Sequence, residues 1–465
     1  MPNIETNPID VEQLISEHQQ FFEKTQTLSV DFRILQLKKL KAGIEQYEQE
    51  IVNALQKDLG KHAFESYTYE VGFVLRSIRH AIKNVKKWAK RKKVKSPVAL
   101  FPSKSYLQYE PFGTVLIIGP FNYPFQLVME PLIGAIAAGN CVVVKHSELV
   151  PTVSAVLTKM IQSTFDKHYI RSVEGGAAIN IALIHGSFDY IFFTGSVSIG
   201  KRVMEAAAKK LIPVTLELGG KSPVFVDEHA NIPLAAQRII WGKTVNAGQT
   251  CIAPDYLVVH ESIKEQLVQE MKKALQAFYG TTIESSKDFG RIVNDQHFKR
   301  LQQMMEQEQK KIIAGGKSNR KTRYIEPTLL NATWNSPSMA EEIFGPILPI
   351  ITYVDLDAAI QSVKKLSKPL ALYIFTTNRE IEQNILGNIS SGGVCINDTI
   401  THAANPNLPF GGVGSSGMGM YHGIYSFLTF SHKRSVYKKN DKWNMPFLFP
   451  PYTKKKERLI RKVLK

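Results

Sequence analysis

Between Thr114 and Leu218 short apolar runs alternate with longer stretches of helical spacing, and few folds accept that pattern. Thr114–Gly119, Cys141–Lys145, Tyr190–Phe193 and Val214–Leu218 read as buried strands, and Phe125–Ala138, Val153–Phe165 and Val197–Leu211 as helices. Strands that are apolar throughout, each followed by a helix, belong to a parallel sheet covered on both faces. The pattern therefore predicts a doubly wound α/β sheet, in which ligands bind beyond the carboxyl ends of the strands. Asn122, Lys145, Gly195 and Glu217 fall at those ends. Residues 114–144 are apolar enough to raise the question of a membrane span. Pro120, Pro124, Glu130 and Pro131 interrupt them, so strand, loop, helix and strand is the better reading.

The flanking regions extend the picture. Residues 9–94 read as helices, with Leu35, Leu37, Leu40, Ile44 and Tyr47 at roughly helical spacing, then Val71, Val74, Leu75, Ile78 and Ile82. The basic run Lys83–Lys95 that ends this region reads as a solvated helix face. Ser103–Glu110 alternates like a strand until Pro111-Phe112-Gly113 breaks it. After Gly219 a second α/β region follows. Its helices lie near Pro233–Thr244, Ile263–Tyr279 and Asp295–Gln309, and its strands at Ile350–Val354 and Ala371–Thr376. Gly315–Arg323 reads as a surface loop. Pro409–Gly419 holds five glycines in eleven residues and must be a tight loop with exposed backbone.

Charge and cysteine count narrow the function classes. The net charge is +17, concentrated in Lys83–Lys95 and Lys454–Lys465. The absence of arginine–aromatic repeats for stacking bases argues against nucleic-acid binding. Cys141, Cys251 and Cys395 are widely spaced and odd in number, so they form neither a disulfide framework nor a metal knuckle, and no His/Cys cluster has ligand spacing. A reducing, cytoplasmic compartment is expected. Met1-Pro2-Asn3-Ile4-Glu5 has neither a basic region nor an apolar run, so no signal peptide is read there.

The chemistry converges on Asn246-Ala247-Gly248-Gln249-Thr250-Cys251. Ala247 and Gly248 leave room for close approach to the backbone, and Gln249 and Thr250 offer hydrogen bonds. Cys251 is a candidate nucleophile, since a thiolate is the strongest nucleophile among side chains near neutral pH; alone, it would read as a small buried hydrophobe. Glu217 ends an apolar strand, where burial should raise its pKa and suit it to general-base work, unless it is a paired structural acid. Asn122 sits in the rigid loop Gly119–Pro124 and can stabilise an oxyanion or merely satisfy the turn. Phe193–Gly200 joins a strand to a helix. Gly195 allows a tight turn, and Gly200 allows a ligand onto the first helical turn, although an ordinary strand-to-helix turn reads the same way. Lys145 and Glu148 follow a strand end and can hold ribose hydroxyls or stand as solvated charges. Cys141 and Cys395 lie in apolar strand-like runs and are expected in the core.

Five segments, Phe193–Gly200, Glu217–Pro223, Asn246–Cys251, Glu342–Pro346 and Pro409–Gly414, occur in the order known from the aldehyde dehydrogenase superfamily. The resemblance spans roughly residues 10–440. Gly417–Gly423 and Pro450-Pro451-Tyr452 make it most like the class 3, fatty-aldehyde-type members. It implies oxidation of an apolar aldehyde, aliphatic or aromatic, to the carboxylic acid through a thiohemiacetal and a thioester. In that family Cys251 would be the nucleophile, Glu217 the general base, and Asn122 with the Cys251 N–H the oxyanion hole. Lys145 and Glu148 would contact the adenosine ribose, Gly195, Ser196 and Gly200 would lie by the pyrophosphate, and Glu342 and Phe344 would hold the nicotinamide ribose and ring. His146 stands where the family usually has proline. NAD is the expected cofactor, with NADP use possible. Glu148 can accept a hydrogen bond from the 2′-hydroxyl and would repel a 2′-phosphate, and Lys145 softens that repulsion.

The implied layout is a Rossmann-like NAD(P)-binding domain (1–96, 110–218 and 407–430), an α/β catalytic domain (219–406), a small β oligomerisation arm (97–109 and 431–450) and a basic tail (451–465). A homodimer follows from the resemblance and from the lone strand Ser103–Glu110, whose edge invites pairing. In the tail, Leu459, Ile460, Val463 and Leu464 would share one face of a helix ringed by Lys and Arg. This can rest on the inner, anionic membrane surface or stay solvated. Two rivals stand beside the hydrolytic reading: transfer of the acyl group to coenzyme A, and a basic scaffold with vestigial catalysis.

Overall fold

The computed structural model describes residues 10–97, 100–443 and 445–464. The leader-free reading of Met1–Glu5, the arm positions Val98, Ala99 and Asn444, the side chain of Val463 and Lys465 lie outside the described residues.

Among the described residues the strands form four sheets, of which three organise the chain and the fourth is the short pair Ser318–Asn319 and Tyr324–Ile325. The first has six strands in the order Gly417–Met418, Val214–Glu217, Tyr190–Thr194, Thr114–Ile118, Cys141–Lys145 and Ile170–Val173. The last five run parallel, and Gly417–Met418 closes one edge antiparallel to Val214–Glu217. Thr114–Ile118, first in sequence, is central, so the chain winds outward in both directions from it. The loops leaving Ile118 and Thr194 diverge at this switch point, which is where such sheets open a ligand crevice. The second sheet has seven strands, all between Pro223 and Ile396, and only Ile312–Ala314 runs antiparallel to its neighbour. The third has three antiparallel strands, with Ser103–Pro111 between Lys92–Val94 and Ser431–Lys439.

Val11–Glu23 packs on the strands Thr114–Ile118 and Cys141–Lys145, while Val30–Leu59 and Gly72–Trp88 pack on the helix Gln126–Ala138, which itself lies on those strands. Ser29 caps the long helix through its hydroxyl, and Gly60 ends it with φ 66°, a left-handed turn that suits glycine. Leu37, Leu40, Ile44 and Ile51 of that helix are fully buried and share one continuous core with Val115 and Ile117 of the sheet.

The structure differs from the sequence reading in several places, and Ser103–Glu110, read as a lone edge strand, is instead the middle strand of the three-stranded sheet. Ile170–Val173 and Ala177–Ile184 form a strand and a helix that the reading passes over. Lys92–Val94, read as the end of a helix, is an exposed edge strand. Cys141 is fully buried as expected, but Cys395 is only half-buried, because its strand Gly393–Ile396 is the outer edge of the seven-stranded sheet. Among the described residues no helix is long and apolar enough to cross a membrane.

Candidate active site

Cys251 sits at the end of a contorted segment. Asn246, Ala247 and Gly248 have φ of 53°, 52° and 74°, a left-handed run that costs energy at the first two positions. A dense set of hydrogen bonds holds it. The Asn246 N–H donates to Glu65 Oε1 at 2.8 Å, and Asn246 Nδ2 donates to the carbonyls of Asn122 (2.8 Å) and Gln249 (3.0 Å). Gln249 Nε2 donates to the carbonyls of Asn246 and Arg291, while its Oε1 accepts from Val293 N–H at 2.9 Å. Thr250 Oγ1 shares a hydrogen bond of 2.8 Å with Tyr123 OH. Gln249 and Thr250 thus serve the loop rather than a ligand. Gly248 is needed because any Cβ there would strike the Gly345 carbonyl. The close approach read from the sequence is therefore made by the chain itself.

Two cavities meet at this cysteine. One, of about 550 Å³, is lined by Tyr67, Tyr69, Phe73, Trp241, Ile252 and Ile400 among others, so it is largely apolar. The other, of about 580 Å³, opens at the switch point of the first sheet. Cys251, Leu127, Phe410 and Tyr421 line both. Glu217 and Asn122 line only the second. The chain thus brings Cys251, Glu217 and Asn122 onto one cavity wall from elements far apart in sequence.

The electrostatics separate their roles. Burial pushes the Cys251 thiol well above its ordinary range, and the nearby Glu342 and Glu217 carboxylates add to this; the N–H groups of Cys251 and Ile252 oppose it. Glu217 is buried, both of its carboxyl oxygens lack a hydrogen-bond partner among the described residues, and burial alone raises its pKa well above the carboxylate range. This fits an acid kept for proton transfer rather than a paired structural one. Asn122 Nδ2 donates to the Gln249 carbonyl at 3.0 Å, which fixes the amide plane.

The second cavity collects most of the residues assigned to a dinucleotide. Lys145 is buried, with Nζ donating to the His146 carbonyl and standing 3.4 Å from Glu148 Oε2. Burial lowers the Lys145 pKa, and Glu148 opposes the shift. Glu148, Gly195, Ser196, Glu342 and Phe344 also line the cavity. Ser196 caps the helix Val197–Ala208 by accepting from Ile199 N–H, so the first N–H groups of that helix face the cleft region. Gly200 stands apart. A Cβ there would run into the Leu218 side chain, so this glycine lets the helix pack on the strand end and does not face the cleft. His146 is buried with both ring nitrogens unpartnered among the described residues, and burial drives its pKa down to about 3.

Glu342 and Phe344 stand on a strained turn, with Phe344 at φ 49°. Arg300 donates to the Glu342 and Ile343 carbonyls, and Ile343 N–H donates to Asp255 Oδ1 at 3.0 Å. Burial raises the Glu342 carboxyl to about 8, with Asp255 adding to the effect. Phe121 packs edge-on against Phe344 at 5.7 Å and tilts over His297 at 5.2 Å, forming an aromatic wall that the sequence did not reveal. Thr194 Oγ1 is buried on the same cavity wall without a partner among the described residues. An orphaned hydroxyl, a buried lysine, a helix N-terminus and an aromatic wall fit a dinucleotide: its diphosphate, ribose hydroxyls and ring would meet matching groups.

Known proteins place the chain. The aldehyde dehydrogenase family profile matches residues 4–436. The chain is 53% identical over 443 residues to 4,4'-diaponeurosporen-aldehyde dehydrogenase of Staphylococcus aureus, covering 95% of this chain and 96% of that protein. It is 44% identical over 420 residues to the dimeric NADP-preferring aldehyde dehydrogenase of Rattus norvegicus, covering 90% and 92%. The solved substrate-bound state of Staphylococcus aureus AldH superposes with a TM-score of 0.96 at 52% identity, covering 98% of this chain and 99% of that one.

Proposed function

The chain belongs to the aldehyde dehydrogenase family and oxidises an aldehyde to the carboxylic acid with NAD(P), and from that premise we propose how its residues divide the work. One observation carries the proposal: a thiol stands where an apolar cavity meets a second cavity that holds an unpartnered, buried carboxyl group. Cys251 is the nucleophile. Glu217, a stronger base than an ordinary carboxylate because it is buried, takes the thiol proton. The thiolate adds to the aldehyde carbon, and Asn122 Nδ2 and the Cys251 N–H donate to the alkoxide. When bound, the nicotinamide supplies the hydride acceptor. Loss of hydride from the tetrahedral carbon leaves a thioester on Cys251. Once Glu217 has released the thiol proton to solvent it takes a proton from water, the hydroxide attacks the thioester, and the acid departs as the thiolate re-forms.

Lys145, Glu148 and the N-terminus of Val197–Ala208 would hold the adenosine half of the cofactor, with Glu342, Phe344 and Phe121 on the nicotinamide half. The six-stranded sheet would then serve as the cofactor domain and the seven-stranded sheet as the catalytic domain. The cavity lined by Tyr67, Phe73 and Trp241 suits an apolar aldehyde. The substrate in the Staphylococcus aureus relative's name, 4,4'-diaponeurosporen-aldehyde, is the first to try. NADH production over aldehydes of rising chain length, with and without coenzyme A, tests this reading. Acid as the product in both conditions supports hydrolysis; acyl-coenzyme A would assign the thioester to transfer.

The assembly reading is a homodimer through the three-stranded sheet, supported by its exposed edge strand Lys92–Val94. Light scattering should give twice the chain mass at micromolar concentration. The cell compartment proposed is the cytoplasm, with the basic tail helix Lys454–Val463 touching the inner membrane surface.

A further inference from the structure

The groups that hold the catalytic loops in place come from one short segment that contains none of the catalytic residues. Lys61 and Glu70 form an ion pair of 2.5 Å with both side chains fully buried. Lys61 Nζ also donates to the Asn122 carbonyl at 2.8 Å. Glu70 Oε2 accepts from the N–H groups of Phe125 (2.9 Å) and Gln126 (3.2 Å). The loop carrying Asn122 is therefore clamped at both ends by one buried pair. The same segment reaches the nucleophile. Glu65 accepts from Asn246 N–H at 2.8 Å, and Lys61 Nζ lies 4.0 Å from the centre of the Tyr123 ring, whose hydroxyl bonds Thr250. The backbone between the clamp residues is unusual as well. Tyr67–Val71 is a single π-helical turn, a conformation uncommon in proteins and frequent at functional sites. Its Tyr67, Thr68 and Tyr69 wall the apolar cavity.

A buried ion pair is an expensive way to hold a fold together, because an apolar pair of similar size often does as well or better. What an apolar pair cannot do is grip a carbonyl and two N–H groups of the same loop. We propose that Lys61 and Glu70 are positioning residues: their pair fixes the Asn122 amide where the alkoxide forms. This rests on the roles given above to Cys251 and Asn122. Placement to within a fraction of an ångström matters at that point, since a 1 Å error can cost about 10²-fold in rate.

The experiment is a cycle between the clamp and Asn122, read as kcat and KM for the aldehyde. Asn122→Ala alone should lower kcat by about 10²–10³-fold. Glu70→Gln should lower kcat by about 10–10²-fold while KM stays within about twofold. Glu70→Gln added to Asn122→Ala should cost nothing further, because residues acting through one another are not additive. Lys61→Met/Glu70→Gln removes both charges at once, leaves neither member of the pair as a lone buried charge, and should show the same dependence on Asn122. A purely structural pair would lower activity equally in both backgrounds, and that result overturns the clamp alone. An unchanged kcat in Asn122→Ala would remove the oxyanion reading and the clamp with it.

Discussion

Gly219 exists for Glu342: a methyl group on its α-carbon would coincide with the Glu342 carboxylate. The strand that ends in Glu217 thus passes directly beneath the turn assigned to the nicotinamide half of the cofactor. Gly219→Ala should fold, because the obstruction is the end of a movable side chain, but it should push Glu342 aside. The expected result is a rise of about tenfold or more in KM for the cofactor, with an unchanged melting temperature. Unchanged cofactor kinetics would detach Glu342 from that role.

Glu217→Gln should separate the two halves of the reaction. Cys251 can still acylate once, at a reduced burst rate because its thiol has lost the base that takes its proton, but glutamine cannot accept the proton from water. Loss of a positioned base costs about 10²–10⁴-fold, so stopped-flow absorbance should show a burst near one NADH per site, then very slow turnover. Mass spectrometry should find the acyl-enzyme. In the wild-type protein the same carboxyl has a raised pKa, so turnover should climb with pH through a range well above that of ordinary carboxylates. Normal steady-state turnover in the variant would assign the base elsewhere.

Glu130 offers a stability test away from the chemistry. It is buried on the helix Gln126–Ala138, its Oε1 has no partner among the described residues, and burial lifts its pKa to about 8. A carboxyl raised in the folded state favours folding while protonated. That contribution is full below the unfolded value near 4.5 and is lost as pH rises toward about 8. Glu130→Gln cannot ionise, so between pH 5 and pH 8 it should lose less stability than the wild type, by on the order of a few kcal/mol. Parallel thermal melts at the two pH values read the difference; identical pH slopes would mean that Glu130 is paired in solution.

Glu148 should bias the choice of cofactor. Its carboxylate is partly exposed beside the buried Lys145 ammonium, so removing its charge leaves a cation near the ribose. Glu148→Gln should move the ratio of kcat/KM for NADP over NAD upward by about tenfold. A ratio that does not move would place the 2′ position out of reach of Glu148.

The tail is a question of location. Lys454–Val463 is helical, with Thr453 as its cap and Leu459 exposed, and Arg461 pairs with Glu457 on the polar side. The full-length chain should bind vesicles of anionic lipid and release them at high salt, and a chain ending at Tyr452 should not. Equal binding by the two would leave the helix as a solvated appendage.

The sequence disclosed what local patterns can carry. Cys141–Lys145 is apolar at four of its five positions and could only be an inner strand, and Glu217 stands out because it follows such a run. Ile170–Val173 escaped because Arg171 and Ser172 interrupt its apolar character at the sheet edge. The contact of Gly200 with Leu218 was hidden because a glycine that admits a ligand and one that admits a side chain look alike in a string of letters. The clamp was invisible for a different reason. Lys61 meets Asn122 across 61 positions, and no local spacing encodes such a contact.

The antiparallel strand Gly417–Met418 has a consequence for the timing of synthesis. Its Gly417 pairs with Glu217, 200 positions earlier, and Phe410 and Tyr421, which flank it, wall both cavities. A chain emerging from the ribosome folds its early parts first. Cys251, Asn122 and Glu217 can all be in place while the last wall of their chamber is still unmade. Until residue 421 appears, the Cys251 thiol faces a chamber that still lacks the walls supplied by Phe410 and Tyr421.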